Sequence, residues 1–276
     1  MIRITALMDD RPSGRHSLSA EHGLSCLVEG EGYRFLFDCG QGPHTWENAR
    51  NLGISLKNLD GVVLSHSHYD HAGGYRYLIE TGNGSKTLYT GKGFFEPKFS
   101  FDGVKYTDLS AGFDREFLAF HGICHKEVGA LMEPFPGVYL IGGFPRKNEF
   151  ERIPSRFRRL TPSGFLPDDF EDEICVALDV GGKLAMLVGC SHPGILNMAE
   201  HVREILGLPI YAIFGGTHLG EAEKSRVEVT IAHLRDMGLE IFGLSHCSGE
   251  AAEEILGEAP EIVSCHLGAG DCIFLG

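Results

Sequence analysis

Residues 64–74 read LSHSHYDHAGG and carry three histidines and one aspartate within six positions, directly after an apolar run. Imidazole and carboxylate groups are common ligands of zinc, manganese and iron(II) in proteins. A histidine-rich surface loop, or a set of helix-capping residues, is the alternative explanation. The strand-like run before the stretch and the Gly-Gly pair within it favour a metal site.

The spacing of these side chains predicts two adjacent ligand positions. Residues 61–64 (GVVL) are apolar and β-branched, which predicts a short buried strand before the histidines. In the extended loop that would follow, His66 and His68 project to the same side. Asp70 and His71 come after a turn and face a second position. Two such positions suit a dinuclear centre that holds a bridging water or hydroxide.

Composition limits the classes of partner. The chain has 276 residues, 43% of them hydrophobic, and a formal net charge of -14 from 38 acidic and 24 basic residues. An acidic surface disfavours nucleic-acid binding, which requires cations that displace counterions. The one basic cluster covers residues 152–159, with Arg146 and Lys147 just before it. It is either a solvated face or a phosphate-binding edge.

No segment of the sequence predicts a membrane or secretory location. Residues 1–8 alternate like a strand and do not resemble a signal peptide, and no apolar run reaches membrane-spanning length. Eight cysteines are scattered without a CxxC pair, which favours reduced thiols and a cytoplasmic location. We therefore expect a small-molecule substrate and neither a nucleic-acid nor a membrane partner; a homo-oligomer is compatible with the sequence.

The order of predicted elements indicates the fold class. The first half is rich in hairpins, and the second half alternates strands and helices. This order predicts an α/β (α+β) fold: one αββα sandwich of two mixed β-sheets with outer helices, spanning residues 1–276. Gly73-Gly74 would turn the chain into a helix over residues 75–80. The aromatic segment at about 91–135 lacks periodicity and is either an insert near the active site or ordinary packing.

Three later histidines each follow a predicted strand. They are His192 in GCSHPG, His218 in GGTHL and His246 in HCSG. Loops at strand ends commonly carry functional side chains. In a chain that already carries the cluster at 66–71, these three histidines are candidates for the same site.

The sequence resembles the metallo-β-lactamase superfamily, because residues 66–71 match its HxHxDH motif. Further motifs, from near residue 20 to the C-terminus, are similar to one branch, the 7,8-dihydropterin-6-methyl-4-(β-D-ribofuranosyl)aminobenzene-5'-phosphate synthase-like proteins. These motifs are EHGLS from Glu21, FDCGQ from Phe37, HSHYDHAGG from His66, Asp172-Glu173, GCSHPGI from Gly189, GGTHL from Gly215 and HCSG from His246. The resemblance implies the αββα fold with a metal site at the sheet edges.

The resemblance also implies a ligand set. The ligands would be His66 and His68 at a first metal position, Asp70, His71 and His246 at a second, and His192 from the middle of the chain. Asp38 resembles the superfamily's buried aspartate, which would support the ligand loop. The usual bridging aspartate is not visible, so either Cys190 or His192 replaces it, or the site binds its metal differently. We expect one or two Zn²⁺ ions, with Mn²⁺ or Fe²⁺ as alternatives.

Metal-assisted hydrolysis is the first functional hypothesis. A metal lowers the pKa of its water and supplies hydroxide as nucleophile. Asp70 would orient that hydroxide, and His218 would stabilise developing charge or donate to the leaving group. Glu21 and His22 would line the mouth of the site. The substrate is expected to be small and phosphorylated or heterocyclic.

Two alternatives remain open. The branch implies a transferase in which an aminobenzene ribosyl phosphate displaces diphosphate from a pterin methyl diphosphate. Phe94, Phe95, Phe99 and Phe101 would then stack on the pterin, and Arg146 with the basic cluster would meet the phosphates. The other alternative is a non-enzymatic, metal-dependent binding or redox-sensing protein, which the neighbouring Cys190 and Cys247 would suit.

Overall fold

The computed structural model describes residues 1–12 and 14–276. The paired strands of these residues form two seven-stranded sheets and one four-stranded sheet. The first sheet has the spatial order β18-β1-β2-β3-β4-β5-β8. Its strands are β1 (Ile2–Met8), β2 (Ser25–Gly30), β3 (Tyr33–Phe37), β4 (Gly61–Val63), β5 (Thr87–Gly91), β8 (Cys124–Val128) and β18 (Cys272–Leu275).

The second large sheet has the spatial order β17-β16-β15-β14-β13-β10-β9. Its strands are β9 (Leu131–Phe135), β10 (Val138–Gly142), β13 (Ile174–Val180), β14 (Lys183–Val188), β15 (Ile210–Gly215), β16 (Ile241–Leu244) and β17 (Val263–His266). Strands β14 to β17 run parallel to one another, whereas β9, β10, β13 and β14 pair antiparallel in that spatial order. The sheet is therefore mixed, as is the first, in which β3, β4, β5 and β8 are parallel.

Six α-helices complete the described part of the chain. They are α1 (His44–Asn51), α2 (Tyr69–Glu80), α3 (Arg115–His121), α4 (Ile195–Leu206), α5 (Lys224–Asp236) and α6 (Glu250–Gly257). A short 3-10 helix covers His246–Ser248.

Three apolar cores hold the layers together, and their composition follows the alternation of side chains along each strand. The central core joins the facing sheets through residues such as Phe35, Val176 and Phe214. A second core packs α4, α5 and α6 against the outer face of the second sheet. A third packs α1 and α2 against the outer face of the first sheet. This arrangement confirms the predicted αββα sandwich with outer helices.

The four-stranded sheet is an addition to the two main layers. Its spatial order is β12-β11-β6-β7, with β6 (Lys98–Phe101), β7 (Tyr106–Asp108), β11 (Phe157–Thr161) and β12 (Gly164–Pro167). The segment at about 91–135 is thus divided: residues 98–108 join this sheet, whereas β8 and β9 extend the two main sheets. The weak periodicity of this segment results from its short and partly exposed strands.

The helix after the histidine cluster begins earlier than predicted. Helix α2 starts at Tyr69, so Asp70 and His71 lie in its first turn and not in a loop that ends at Asp70. Gly73 and Gly74 lie inside this helix and do not form a turn before it. A Cβ atom on Gly74 would lie 2.1 Å from the carbonyl oxygen of Cys39. These glycines therefore permit close packing of α2 against the loop after β3.

Among the described residues, none of the helices is both long enough and apolar enough to cross a membrane.

Candidate metal centre

The candidate site lies where parallel strands of the two large sheets end. Strand β4 leads to His66, β14 to Cys190 and His192, β15 to His218, and β16 to His246. Because β14, β15 and β16 are parallel neighbours, their carboxyl ends lie at one edge of the second sheet. The loops at these strand ends thus bring together side chains that are up to 180 residues apart in sequence.

His66, His68 and His192 form a first group of candidate ligands, here called the first triad. One nitrogen from each ring lies within 4.8 Å of the others, and all three residues are buried. The Nε2 atoms of all three rings have no hydrogen-bond partner among the described residues, nor does Nδ1 of His192. Buried polar atoms are normally paired, so these unpaired nitrogens converging on one point indicate a ligand.

The surroundings of the first triad favour neutral imidazoles. Burial lowers the pKa of His68 to about 3 and holds the pKa values of His66 and His192 well below their usual range. The ring of Phe170 stacks on that of His192, with centroids 3.8 Å apart and planes 17° apart. A neutral imidazole with a free nitrogen is the form that binds a metal.

Asp70, His71 and His246 form the second triad, with ligand atoms again within 4.8 Å of one another. Oδ2 of Asp70 lies 3.4 Å from Nε2 of His246 and 3.7 Å from Nε2 of His71. The same oxygen lies 3.2 Å from Nε2 of His22. Hydrogen bonds to Asp10 and Asp70 raise the pKa of His22 to about 9.

Two buried or partly buried aspartates orient the histidines of the second triad. Oδ2 of Asp38 lies 2.7 Å from Nδ1 of His71, and Oδ1 of Asp10 lies 2.7 Å from Nδ1 of His246. In each ring the other nitrogen, Nε2, therefore points toward Asp70. Carboxylates that bind the far nitrogen of a histidine are the usual support of metal ligands.

Cys190 lies between the two triads. Its Sγ atom is 3.1 Å from Nε2 of His71 and groups with ligand atoms of His66 and His71. The same atom also groups with His246 and Cys247. His192, by contrast, groups only with His66 and His68 among the described residues. Of the two candidates for the missing bridging position, Cys190 therefore lies between the triads and His192 lies within the first triad.

The donor set fits a divalent metal. It combines unpaired neutral imidazole nitrogens, one buried carboxylate and one buried thiol, which together suit zinc better than a hard cation such as magnesium. The residues predicted as ligands from the sequence are therefore brought together, and their role as ligands remains a prediction.

The side chain of Glu173, directly before β13, fixes the loop that carries His192. The buried carboxylate of Glu173 accepts hydrogen bonds from the backbone N–H groups of Ser191 at 2.6 Å and His192 at 3.0 Å. Ser191 has a φ of 59°, and its Oγ donates to the carbonyl of Gly216. This network holds a sharp turn directly at the candidate ligands.

A buried ion cluster fixes the loop that carries His66 and His68. Lys98 Nζ lies 2.8 Å from Asp168 Oδ2 and 2.7 Å from Asp172 Oδ1, and all three side chains are at most 3% exposed. Oδ2 of Asp172 accepts a hydrogen bond from the backbone N–H of Ser67. The four-stranded sheet thus contributes a cation to the support of the histidine loop.

A cavity of about 210 Å³ opens beside the triads. Its walls include His22, His68, Asp70, Cys190, His192, His246 and Cys247 from the centre, and Ser100, Arg156, Phe157, His218 and Glu221 from surrounding loops and strands. The His218 ring lies 4.5 Å from that of His192, between centroids. Arg156 Nη2 lies 2.6 Å from Glu221 Oε1. The predicted catalytic pair, Asp70 and His218, therefore lines one cavity.

Several residues expected at the substrate lie elsewhere. Glu21 is outside the cavity walls, and its Oε2 lies 2.7 Å from Nδ1 of His44. Arg146 lines a separate cavity and donates to the carbonyl of Asp169. The four phenylalanines expected to stack on a pterin are also outside the cavity walls, because Phe94 and Phe95 line another groove and Phe99 and Phe101 pack within the four-stranded sheet. Phe157, Tyr69 and Arg156 are the phenylalanine, the tyrosine and the arginine that the fold places there.

Some supporting residues were not singled out from the sequence. Asp10 lies just after the first strand in no recognisable motif, and Lys98 lies in the segment that lacks periodicity. The sequence did point to Glu173, because the pair Asp172-Glu173 is among the motifs that resemble the synthase-like branch. Its hydrogen bond with the backbone N–H of Ser191, 18 residues away, leaves no local pattern in the sequence.

Comparison with known proteins agrees with this fold. The family model of the metallo-β-lactamase superfamily matches residues 19–165. The 7,8-dihydropterin-6-methyl-4-(β-D-ribofuranosyl)-aminobenzene-5'-phosphate synthase of Methanocaldococcus jannaschii is 30% identical over 272 residues, which cover 93% of this chain and 91% of that protein. The similarity therefore extends beyond the HxHxDH motif to nearly the whole chain.

Solved structures show the same architecture. A crystal structure described as a metal-dependent hydrolase of the β-lactamase superfamily covers 100% of both chains at 27% identity, with a TM-score of 0.85. Zn²⁺-bound PqqB from Methylobacterium extorquens covers 99% of this chain and 100% of its own at 16% identity, with a TM-score of 0.58, and shows the fold alone. From its sequence match, its near full-length relative and its fold, this chain belongs to the metallo-β-lactamase superfamily.

Proposed function

We propose that this protein is a metal-dependent hydrolase that acts on a small, phosphorylated or heterocyclic substrate, with Zn²⁺ as the metal. The observation that carries the proposal is the convergence of unpaired nitrogens of His66, His68 and His192 beside a second triad that contains Asp70. A bound metal would supply Lewis-acid activation of water and of the attacked oxygen.

The residues around the cavity have distinct roles in this proposal. The carboxylate of Asp70 faces the cavity and accepts a hydrogen bond from the attacking water, which it orients toward the substrate. His218 lies on the wall beside the first triad, where it donates to the developing negative charge or to the leaving group.

The size of the cavity and the guanidinium of Arg156 at its wall favour a phosphorylated group as the reacting part. Its volume of about 210 Å³ is below that of a typical small-molecule pocket, roughly 300–1,000 Å³, so the remainder of the substrate would extend outward. Arg156 supplies a guanidinium at the wall, and its partner Glu221 is half exposed. An incoming phosphate would replace Glu221 as the partner of Arg156, because guanidinium binds phosphate in a two-pronged geometry.

The second candidate is a transferase of the dihydropterin–ribofuranosylaminobenzene phosphate synthase type. The similarity to the archaeal synthase over 93% of this chain favours it. In this reaction metal ions held by the triads would bind the diphosphate leaving group, and Phe157 and Tyr69 are the aromatic residues on the cavity wall that could stack on a pterin ring. Arg146 lies outside the cavity walls, so the phosphate contact is assigned to Arg156.

Product analysis of the metal-loaded protein distinguishes these candidates. Purified protein with Zn²⁺ would be tested on phosphomonoesters, phosphodiesters and pterin methyl diphosphate, with and without the aminobenzene ribosyl phosphate. Hydrolysis of one substrate alone supports the hydrolase. Release of diphosphate only when both co-substrates are present supports the transferase.

Matched variants show whether any turnover belongs to this site. We expect His68→Ala and Asp70→Asn to abolish turnover while the protein stays folded by circular dichroism. His233→Ala, at an exposed histidine of α5, should retain the activity of the unsubstituted protein. Metal bound in stoichiometric amount with no turnover on any of these substrates would contradict both candidates and favour a binding or sensing protein.

A further inference from the structure

We propose that the sulfur of Cys190 is a metal ligand shared by the two positions, in the place where the superfamily usually has a bridging aspartate. The inference rests on the proposed function only in that both require bound metal. It concerns the identity of one ligand atom, and therefore the class of metal that the site prefers.

The position of the sulfur relative to the two triads is the main argument. Sγ of Cys190 lies within 4.8 Å of ligand nitrogens of His66 and His71, and 3.1 Å from Nε2 of His71. His66 belongs to the first triad, whereas His71 and His246 belong to the second. An atom that lies close to nitrogens of both triads is placed to contact a metal in either position.

The backbone before and after Cys190 fixes this location. Gly189 packs so closely on the histidine loop that a Cβ atom there would lie 2.1 Å from Oγ of Ser65. Ser191 is held on the other side by its hydrogen bonds to Glu173 and Gly216. Cys190 itself is 3% exposed, so its side chain has no route to solvent as an alternative to the centre.

The charge of the donor set also favours a thiolate at this point. Asp70 is the one carboxylate in the two triads, and the remaining members are histidines. Two divalent cations bring four positive charges, and a thiolate from Cys190 would offset one more of them. Thiolate ligands select zinc or cobalt over magnesium or manganese, whereas a bridging carboxylate does not discriminate in this way.

Cys247 is the competing source of sulfur, and its contacts differ. Its Sγ accepts a hydrogen bond from the backbone N–H of His218 at 3.3 Å. It groups with Cys190 and His246 but with no member of the first triad. Cys247 could therefore reach only one metal position, which makes Cys247→Ser the matched control for Cys190→Ser.

Cobalt substitution tests the ligand without relying on activity. The full-length protein and both serine variants would be loaded with Co²⁺, and bound metal would be counted by elemental mass spectrometry. We expect a thiolate-to-cobalt charge-transfer band in the near ultraviolet for the unsubstituted protein and for Cys247→Ser, and its loss in Cys190→Ser. A band of undiminished intensity in Cys190→Ser overturns the inference.

X-ray absorption of the unsubstituted protein with two Zn²⁺ ions gives a second test that needs no variant. A bridging sulfur places about one sulfur neighbour on each zinc, at ~2.3 Å. A terminal sulfur gives half as many on average and overturns the bridging assignment, as does the absence of any sulfur shell. Bound metal without sulfur ligation overturns this inference alone, whereas failure to bind metal overturns the proposed function with it.

Discussion

Nδ1 of His71 lies 2.7 Å from Oδ2 of Asp38, and neither side chain is exposed. The same carboxylate accepts hydrogen bonds from the backbone N–H of Ser65 at 2.7 Å and from its Oγ at 2.8 Å. Oγ of Ser65 in turn lies 2.9 Å from Nδ1 of His66. One buried aspartate at the end of β3 therefore orients a histidine of each triad.

Replacement of Asp38 by asparagine should weaken metal binding by roughly 10- to 100-fold, the usual cost of losing such support. The amide keeps the volume of the carboxylate but removes its charge and one of its acceptor oxygens. Competition with a chromophoric chelator would measure the change in affinity. Asp179→Asn, in the distant β13–β14 hairpin, is the control; an equal loss of affinity in both variants would contradict this role for Asp38.

Glu173 should stabilise the turn at Ser191 and His192 in the metal-free protein. Each of its two carboxylate oxygens accepts a hydrogen bond from one backbone N–H group. A glutamine side chain has one oxygen, so it could accept only one of these bonds, and its NH₂ group would face the second N–H donor. We expect Glu173→Gln to lower the free energy of unfolding of the metal-free protein by about 1–3 kcal/mol. Urea denaturation would measure this loss.

Glu133→Gln supplies the comparison for that experiment. Oε1 of Glu133 also accepts a backbone N–H, from Gly137, but in an exposed turn. Water can replace this bond, so we expect a change within about 0.5 kcal/mol. Similar losses in the two variants would show that burial at Glu173 has no special effect.

Removal of the Lys98 ammonium should be more damaging, because it leaves two buried carboxylates without a cation. We expect Lys98→Met to cost about 3–5 kcal/mol of unfolding free energy, measured by urea denaturation. The triple variant Lys98→Met/Asp168→Asn/Asp172→Asn should recover part of that loss, since no unpaired charge remains. Lys183→Met, which breaks an exposed pair with Glu240, should cost at most about 1 kcal/mol. No recovery in the triple variant would count against charge burial as the cause.

The sequence indicated the residues that converge on the candidate centre better than the residues that support them, for a physical reason. His192, His218 and His246 each follow an apolar run, and parallel pairing of β14, β15 and β16 necessarily brings such positions to one edge. Asp10 and Lys98 reach the same region through contacts between distant segments. Such contacts leave no periodicity along the chain, so residue type and spacing cannot indicate them.

The start of α2 shows a second limit of pattern recognition. The pair Gly73-Gly74 reads as a turn because glycine weakens helices, yet both residues lie inside the helix. Their role is set by the loop packed against them, which only the tertiary structure shows. A propensity argument therefore placed the helix start about six residues too late.

Gly74→Ala should consequently destabilise the protein although alanine favours helices. The added Cβ would lie 2.1 Å from the carbonyl oxygen of Cys39, a backbone atom that cannot rotate away. We expect a loss of about 1–3 kcal/mol or more in thermal or urea unfolding. Gly257→Ala, at the end of α6 with no atom within 4 Å of the new Cβ, should be neutral or slightly stabilising. The opposite order would show that helix propensity outweighs packing at Gly74.

His266 should make the free energy of unfolding depend on pH. Its Nε2 lies 2.7 Å from Oδ2 of Asp9, whose other oxygen accepts the backbone N–H of His246. The hydrogen bond with Asp9 raises the pKa of His266 above its ordinary value of 6.5. The protonated form is thus favoured in the folded state, so its stabilisation is complete below pH 6.5 and is lost as pH rises through the raised pKa.

Urea denaturation of the metal-free protein across this pH range would test the coupling. We expect the free energy of unfolding of the unsubstituted protein to exceed that of His266→Gln most at low pH, and the difference to shrink as pH rises, because glutamine does not titrate. Subtracting the two profiles cancels the other histidines, which both proteins share. His233→Gln, at an exposed position of α5, should leave the profile unchanged. A difference that is constant with pH would mean that His266 contributes packing or a neutral hydrogen bond, and no charge, to the support of His246.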